Sequence, residues 1–556
     1  MQHDVDEDQP LLSGGGTGAS SPSPFPSPSH AIPQDGSKSP RSSTDTESGT
    51  IEPLPRTIEA AVLPETSNLG RHLSWQSAYI LVISRVIGSG IFATPGAVAR
   101  SAGSAGLALT IWAAGAALAA CGLAVSLELG SMLPRSGGDK VYLEFMYRRP
   151  RFLASTLVAV NAVLLGFTAS NCVVFAEYVA FALGIEEPSD VLRKSLAVGL
   201  LTAITVVHGC APRAGVVVQN VLGWIKVALV VFMVFVGLFV VVFQRGRTEI
   251  GQGGGGLLTW EGLWKDSDWS LGVIATSLFK VFYSYAGLSN VNNVLNDVKD
   301  PVRTLKSVCT SALVTAVVLY TLVNIAYFMV VPLDEIKESG ELIAALFFER
   351  TFGPQLGRKV LPLAVALSGA GNVMVVTYAL ARLNQEIARQ GFLPYPELLA
   401  SSKPFNAPLG GLIVHYIPSL LVITLPPSDQ VYSFILEVEG YPAQFYGLAI
   451  SIGLLWLRYK RPDLKRPFKV WLPAVGIRIV VSLALIAAPF FPPKNYTGTL
   501  FYATYAIVGV GIIVFGLLYW YIWTVLIPRW RGYRLEEEVD ILDDGVTITR
   551  LVKVPK

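Results

Sequence analysis

Charge is scarce in this chain. Asp, Glu, Lys and Arg make up 15% of 556 residues, against about a quarter in an ordinary soluble protein. With 52% hydrophobic residues and a mean hydropathy of +0.50, that scarcity excludes a soluble globular domain and points to the membrane class. Cysteine is scarcer still. Cys121, Cys172, Cys210 and Cys309 are widely spaced and lie in or beside apolar segments, which excludes a disulfide framework or a zinc-ligand pattern. Of five histidines, three (His3, His30, His72) precede the first apolar segment, so no metal and no other cofactor is expected. A net charge of +3 offers no argument for a nucleic-acid partner. A basic start followed by an apolar run is also missing, which excludes a signal peptide.

What is present begins with a tail. Residues 1–73 are rich in Ser, Pro, Gly and acid, a composition that cannot bury a core and reads as a disordered cytoplasmic segment. Within it, "EDQPLL" sets Glu7 ahead of Leu11-Leu12, the pattern of an adaptor-read sorting signal. Together with tail lysines such as Lys38, it makes trafficking adaptors candidate partners. Chance is the commoner origin of such a match in a tail that folding does not constrain.

Residues 74–527 carry apolar stretches of the length a helix needs to cross the hydrocarbon core, about 20 residues each. Twelve are expected: 75–101, 105–131, 152–183, 190–210, 214–243, 269–297, 305–332, 359–388, 408–425, 428–457, 472–491 and 499–527. Residues 528–556 form a C-terminal tail. The loop after the second stretch carries Arg135, Lys140, Arg148, Arg149 and Arg151, and "RYKRPDLKRPFK" follows the tenth. The positive-inside rule then places both termini in the cytoplasm. The single sequon, Asn495-Tyr496-Thr497, falls outside in that topology. Twelve crossings with no clustered His, Asp, Glu or Cys at membrane depth describe a transporter and not an enzyme, with lipid all round.

Two stretches are broken where a break is most costly. "SRVIGSGIFATPG" puts Gly88, Ser89 and Gly90 at the centre of the first. In lipid, irregular backbone survives only where protein or a polar cavity satisfies its N–H and C=O groups. The half-helix starting near Ile91 then presents unpaired amides and a positive dipole end, a site for a carboxylate. Carbonyls of Val86 and Ile87 below the break can accept from an ammonium. A glycine contact for tight helix packing is the competing reading. The sixth stretch, "VFYSYAGLSNVNNVLNDVKDP", repeats the feature with Ala286-Gly287, followed by Ser289, Asn290, Asn292 and Asn293. Breaks at matching places in two five-helix halves point to a midplane substrate site.

"IGSGIFATPG", "PRSGGDKVYLEF", "VVQNVLGWIK", "YSYAGLSN…DVKDPVRTLK" and "YALARLNQEIARQGFLP" occur in order on the expected stretches. Through them the chain resembles the amino acid–polyamine–organocation (APC) superfamily, and within it the L-type amino acid transporters, over most of residues 72–527. "SRVIGSGIF" and "FYSYAGLSNVNNVL" resemble the fungal high-affinity methionine permeases. The resemblance implies an all-α membrane protein with a LeuT-type 5+5 inverted repeat, discontinuous helices 1 and 6, and two extra helices. It implies that amides around Ser89 and Gly90 meet the substrate carboxylate, and that carbonyls of Val86, Tyr283 and Ala286 meet the ammonium. Leu288 stands where many relatives have a large aromatic gate, so Tyr283 or Tyr285 could share that role.

Several charges need an account. Lys226 lies mid-way along the fifth stretch and must face the interior. By resemblance it is the proton-coupling lysine of the family; the bland reading is a fixed strut for the first helix. Arg85 needs an acceptor at its depth, and Asp297 and Glu128 are the candidates. It would be an inner latch or a structural pair. Lys280 is expected to pair with Glu437 or Glu439, Glu177 to snorkel, and Asn372 to be a pocket donor or an interhelical bond. The combined expectation is a proton-coupled importer of neutral L-amino acids, most of all methionine, working by alternating access at the plasma membrane, with a vacuolar or endosomal site as the alternative. An L-type exchanger is the nearest rival, although "LGIEEPSD" lacks the cysteine that would link a heavy chain, and none is expected. A non-transporting amino-acid receptor is the rival from another class.

Overall fold

The first apolar segment is helical in two pieces, as its glycines require. α1 (Trp75–Val86) starts at Ser74, whose hydroxyl accepts from Ser77 N, and ends as Ile87 turns to ψ 97. α2 (Gly90–Ala102) then runs to Gly103, which closes it at φ +79. The computed structural model describes residues 71, 73–185, 187–243, 259–403, 405, 407–426, 431–491, 501–541 and 547–555. All belong to the unit Pro53–Lys556. The tail motif at Glu7 and Leu11-Leu12, Lys38, and the sequon at Asn495 lie outside the described residues, as does the side chain of Asp297.

α3 (Ala105–Met132) begins at Ser104, which caps Leu107 N, and is followed by the short loop helix α4 (Asp139–Met146). The third segment is split into α5 (Leu153–Leu165) and α6 (Ala169–Ala182), a break the sequence reading did not anticipate. α7 (Asp190–Cys210), α8 (Pro212–Phe243) and the short α9 (Trp260–Trp264) come next. α10 (Leu271–Ser284) stops early. Instead of continuing to residue 297, the chain passes through two 3₁₀ turns, Asn290–Asn293 and Leu295–Asp297. α11 (Pro301–Val330), α12 (Leu333–Ser339) and α13 (Ile343–Gln355) lead through a π turn at Leu356–Val360 into α14 (Leu361–Arg389). The last helices are α15 (Pro396–Ala400), α16 (Leu409–Thr424), α17 (Val431–Lys460), α18 (Leu472–Ala487), α19 (Thr504–Trp520) and α20 (Ile527–Arg531).

Among the described residues, nine helical stretches are long and apolar enough to cross a membrane. Two further apolar helices, α10 and α16, are shorter, and α17 is 30 residues long but carries Glu437 and Glu439 in its course. Exposed Trp224, Phe235, Phe239 and Phe243 on α8, and Phe515 and Leu518 on α19, form the kind of surface that only lipid tolerates at this extent. Inside, α14 packs on α6, α8 and α16, while α10 packs on α2 and α17. Those contacts bring the two broken segments together.

One departure from an all-helical chain lies in the segment read as a tail. β1 (Tyr533–Ile541) and β2 (Thr547–Pro555) pair antiparallel, with Tyr533 opposite Pro555. The hairpin returns to the helices, where Leu551 N donates to Gln390 O at 3.1 Å, just past the end of α14. Leu551 packs there in a small apolar cluster with Ile387 and Phe392.

Candidate functional site

The breaks meet at one hydroxyl. Tyr283 on α10 bonds through its OH to Ser89 Oγ at 3.2 Å and Ser170 Oγ at 2.9 Å, and accepts from Asn171 Nδ2 at 3.0 Å. Asn171 Oδ1 in turn accepts from Asn372 Nδ2 at 3.0 Å. A Cβ on Gly88 would stand 2.6 Å from that same Nδ2, so only glycine lets the first break reach Asn372. The hub thus joins α2, α6, α10 and α14 at the level of both breaks. Asn372 Oδ1 is buried and has no protein hydrogen-bond partner, leaving an acceptor at the first break.

A second hydroxyl ties the breaks from the other side. Tyr320 of α11 donates to Val86 O at 2.8 Å and lies 3.0 Å from Ser284 O. The Val86 carbonyl, expected for an ammonium, is therefore already engaged. Tyr327 bonds to Ile91 O at 3.2 Å and Tyr178 to Phe92 O at 2.8 Å. Within α2, Phe92 N and Ala93 N both donate to Ser89 O, so the amides ahead of them stand at the helix start without a preceding turn. Ile87 and Ile91 are 0% exposed and Ser89 is 1% exposed, so the first break is shut.

The second break is open. Tyr283, Ala286, Gly287 and Leu288 line a cavity of about 480 Å³, which extends past Asn161 and Gln444 to Asp139 on the loop helix α4. None of the residues from Val86 to Ile91 lines it. Gly287 adopts φ +103, and a Cβ there would come within 2.5 Å of Arg85 Cγ. Both the dihedral and the approach of Arg85 need glycine at this position.

A model of the amino acid permease family matches residues 73–515. The chain belongs to the amino acid permease family. It is 33% identical to the low-affinity methionine permease of Saccharomyces cerevisiae over 511 residues, covering 90% of this chain and 92% of that one. The high-affinity methionine permease of the same yeast is 34% identical, with 85% and 83% covered. The b(0,+)-type amino acid transporter 1 of Mus musculus is 31% identical, with 76% and 84% covered. The permease is thus a multi-pass membrane protein among relatives that are transporters by name.

The remaining charges of the permease are arranged around these breaks. Lys226 is fully buried and donates to Ser84 O of α1. A mid-bilayer lysine costs about 2.5–3.5 kcal/mol on insertion scales, and one hydrogen bond to a charged group returns about 1.5–3 kcal/mol. The Ser84 bond is therefore of the size needed to hold Lys226 in place. Arg85 does not reach Glu128. That carboxylate is fully buried and taken by Arg458, by Arg466 at 3.6 Å and by Val470 N at 2.8 Å, which fastens α3 to the end of α17. Arg85 instead lies against Gly287 and within electrostatic range of Glu439.

Lys280 stands 3.7 Å from Glu437 and 3.2 Å from Ser101 Oγ, tying α10 to α17 and to the end of α2. Glu177 does not simply snorkel, because Arg193 Nε is 3.1 Å away. Sequence reasoning missed Tyr320, Ser170, Asn171 and Arg478. A signal existed for two of them: "GFTASN" places small and polar residues in mid-segment, where lipid would reject them.

Proposed function

We propose that this permease is a secondary active importer of neutral L-amino acids, methionine foremost, driven by protons and working by alternating access. The observation that carries the reading is the Tyr283 hub, which holds Ser89 of the first break beside the second break and beside the free Asn372 Oδ1. A dipole end and unpaired amides at Ser89–Ile91 suit a carboxylate. The Ala286 carbonyl and Asn372 Oδ1 suit an ammonium, with the Tyr283 carbonyl, which already accepts from Ala286 N, offering its second lone pair. Ile87 and Leu288 supply apolar surface for the side chain. The methionine permeases of yeast support the choice of substrate.

In this reading the chain crosses the membrane twelve times, with a LeuT-type pair of five-helix repeats in residues 74–527 and two further helices. Both termini are cytoplasmic, in the plasma membrane. Lys226 carries the coupling, because its ammonium fixes α1 through Ser84 O, and losing the proton strips that bond of its charge assistance. Arg85 and Glu439 flank the second break as an inner latch, with Asp297 nearby in sequence, while Lys280 and Glu437 close the opposite end.

The test is uptake of labelled methionine into cells lacking their own transporters, across external pH, for wild type and Lys226→Ala. Uptake should rise as pH falls in wild type and lose that dependence in the variant. Exchange, implied by the resemblance to the L-type amino acid transporters, is the second reading. Uptake that needs preloaded amino acid and ignores pH would establish exchange. Methionine binding with no uptake under any gradient would mark a receptor.

A further inference from the structure

The cavity beside the second break holds opposite charges apart. Arg478 of α18 lines it, with Nη1 donating to Gln444 Oε1 at 3.2 Å and the guanidinium 5.8 Å from the centre of the Phe282 ring. A Cβ on Gly447 would come within 2.5 Å of Arg478 Nη2, so the glycine makes room for the guanidinium. Asp139, at the start of α4, lines the same cavity and is within electrostatic reach of Arg478. The two form no ion pair within 4.0 Å, and Asp139 is exposed to the cavity. A guanidinium has five donors, so the Gln444 bond leaves most of them free to face the cavity. Asn161 also lines the wall, and its Oδ1 is buried with no protein partner.

A cation with spare donors, an anion beyond pairing distance and an orphaned amide oxygen are complementary to a zwitterion. Charges placed to neutralise only each other would close to contact, as Glu128 and Arg458 do in this molecule. The volume of about 480 Å³ falls within the range of small-ligand pockets, and its wall continues to Tyr283 and Leu288 at the second break. We propose that the cavity is a second binding station for the transported amino acid, lying between the breaks and the α4 end of the bundle. Arg478 takes the carboxylate, and Asp139 with Asn161 Oδ1 takes the ammonium. The inference rests on the transport reading above. It adds a place where substrate pauses after leaving the hub on its way to the α4 side.

The experiment uses the full chain, purified into lipid nanodiscs, with labelled methionine as probe. Saturation binding should give two sites per chain in wild type and one in Arg478→Gln, while Arg478→Lys keeps the second site at reduced affinity. In proteoliposomes, the apparent KM for methionine presented on the α4 side should rise about tenfold in Arg478→Gln, the loss of one charge-assisted bond, with the KM from the opposite side unchanged. Asp139→Asn, at the exposed start of α4, should shift the same KM and serves if Arg478→Gln does not fold. One site per chain in wild type, or two sites surviving in both variants, overturns the station and leaves the transport reading intact. Absence of any methionine binding overturns both.

Discussion

The two helix breaks differ in almost everything except their glycines. At the first, Ile87, Ser89 and Ile91 are sealed, and three tyrosines from two other helices hold the adjoining carbonyls. At the second, the backbone from Tyr285 to Asn292 bonds chiefly within itself, through Ala286 N to Tyr283 O and Asn290 N to Gly287 O, and one side is open to a cavity. A break held by its neighbours cannot move without them, whereas one that satisfies itself can rearrange locally. The first break therefore reports the state of the whole bundle. The second is bound to the cavity on its open side.

Several substitutions would break or sharpen that contrast. The largest effect is expected from cysteine accessibility. Ala286→Cys should react with a small thiol reagent about 100-fold faster than Ser89→Cys, reflecting an opening cost of roughly 3 kcal/mol at the sealed site. Equal rates would erase the distinction. Next is Gly90→Ala, whose Cβ would sit 2.9 Å from Ser284 Cα, a backbone atom that cannot swing aside. About 3 kcal/mol of overpacking is expected, seen as a lowered melting temperature and lost uptake at normal surface abundance. Gly287→Ala should cost less, about 1–2 kcal/mol from the positive φ, because the obstructing Arg85 side chain is flexible. A melting temperature lower than that of Gly90→Ala would reverse the ranking. Tyr320→Phe should be the mildest, about 1 kcal/mol net for its neutral hydrogen bonds, with uptake reduced and surface abundance unchanged.

Much of this was legible in sequence, and for a physical reason. Gly88-Ser89-Gly90 and Ala286-Gly287 stand out because lipid excludes broken backbone, so local sequence alone announces the breaks. Helix starts at Ser74, Ser104 and Ser189 follow from capping hydroxyls that act within three residues. Partners across the bundle were less readable. Tyr283 reaches Ser170 over 113 positions and Tyr320 reaches Val86 over 234, distances at which only tertiary packing decides. Arg85 shows the same limit. Depth along a helix suggested Glu128, but rotation about the helix axis hands that carboxylate to Arg458 and Arg466 and leaves Glu439 near Arg85. The C-terminal hairpin was a missed opportunity, because alternating β-branched residues around "DDG" are a local hairpin signal.

That hairpin has a consequence for how the molecule is made. Leu551 covers Gln390 and Phe392 with a strand drawn from residues synthesised long after α14. During translation, the C-terminal end of α14 leaves the ribosome uncovered, with the Gln390 carbonyl and Phe392 without the strand that covers them. A chain stopped at Gly532 would already contain every described helix yet leave this patch uncovered. Covering that patch is thus left to β2, which follows all the described helices in the chain.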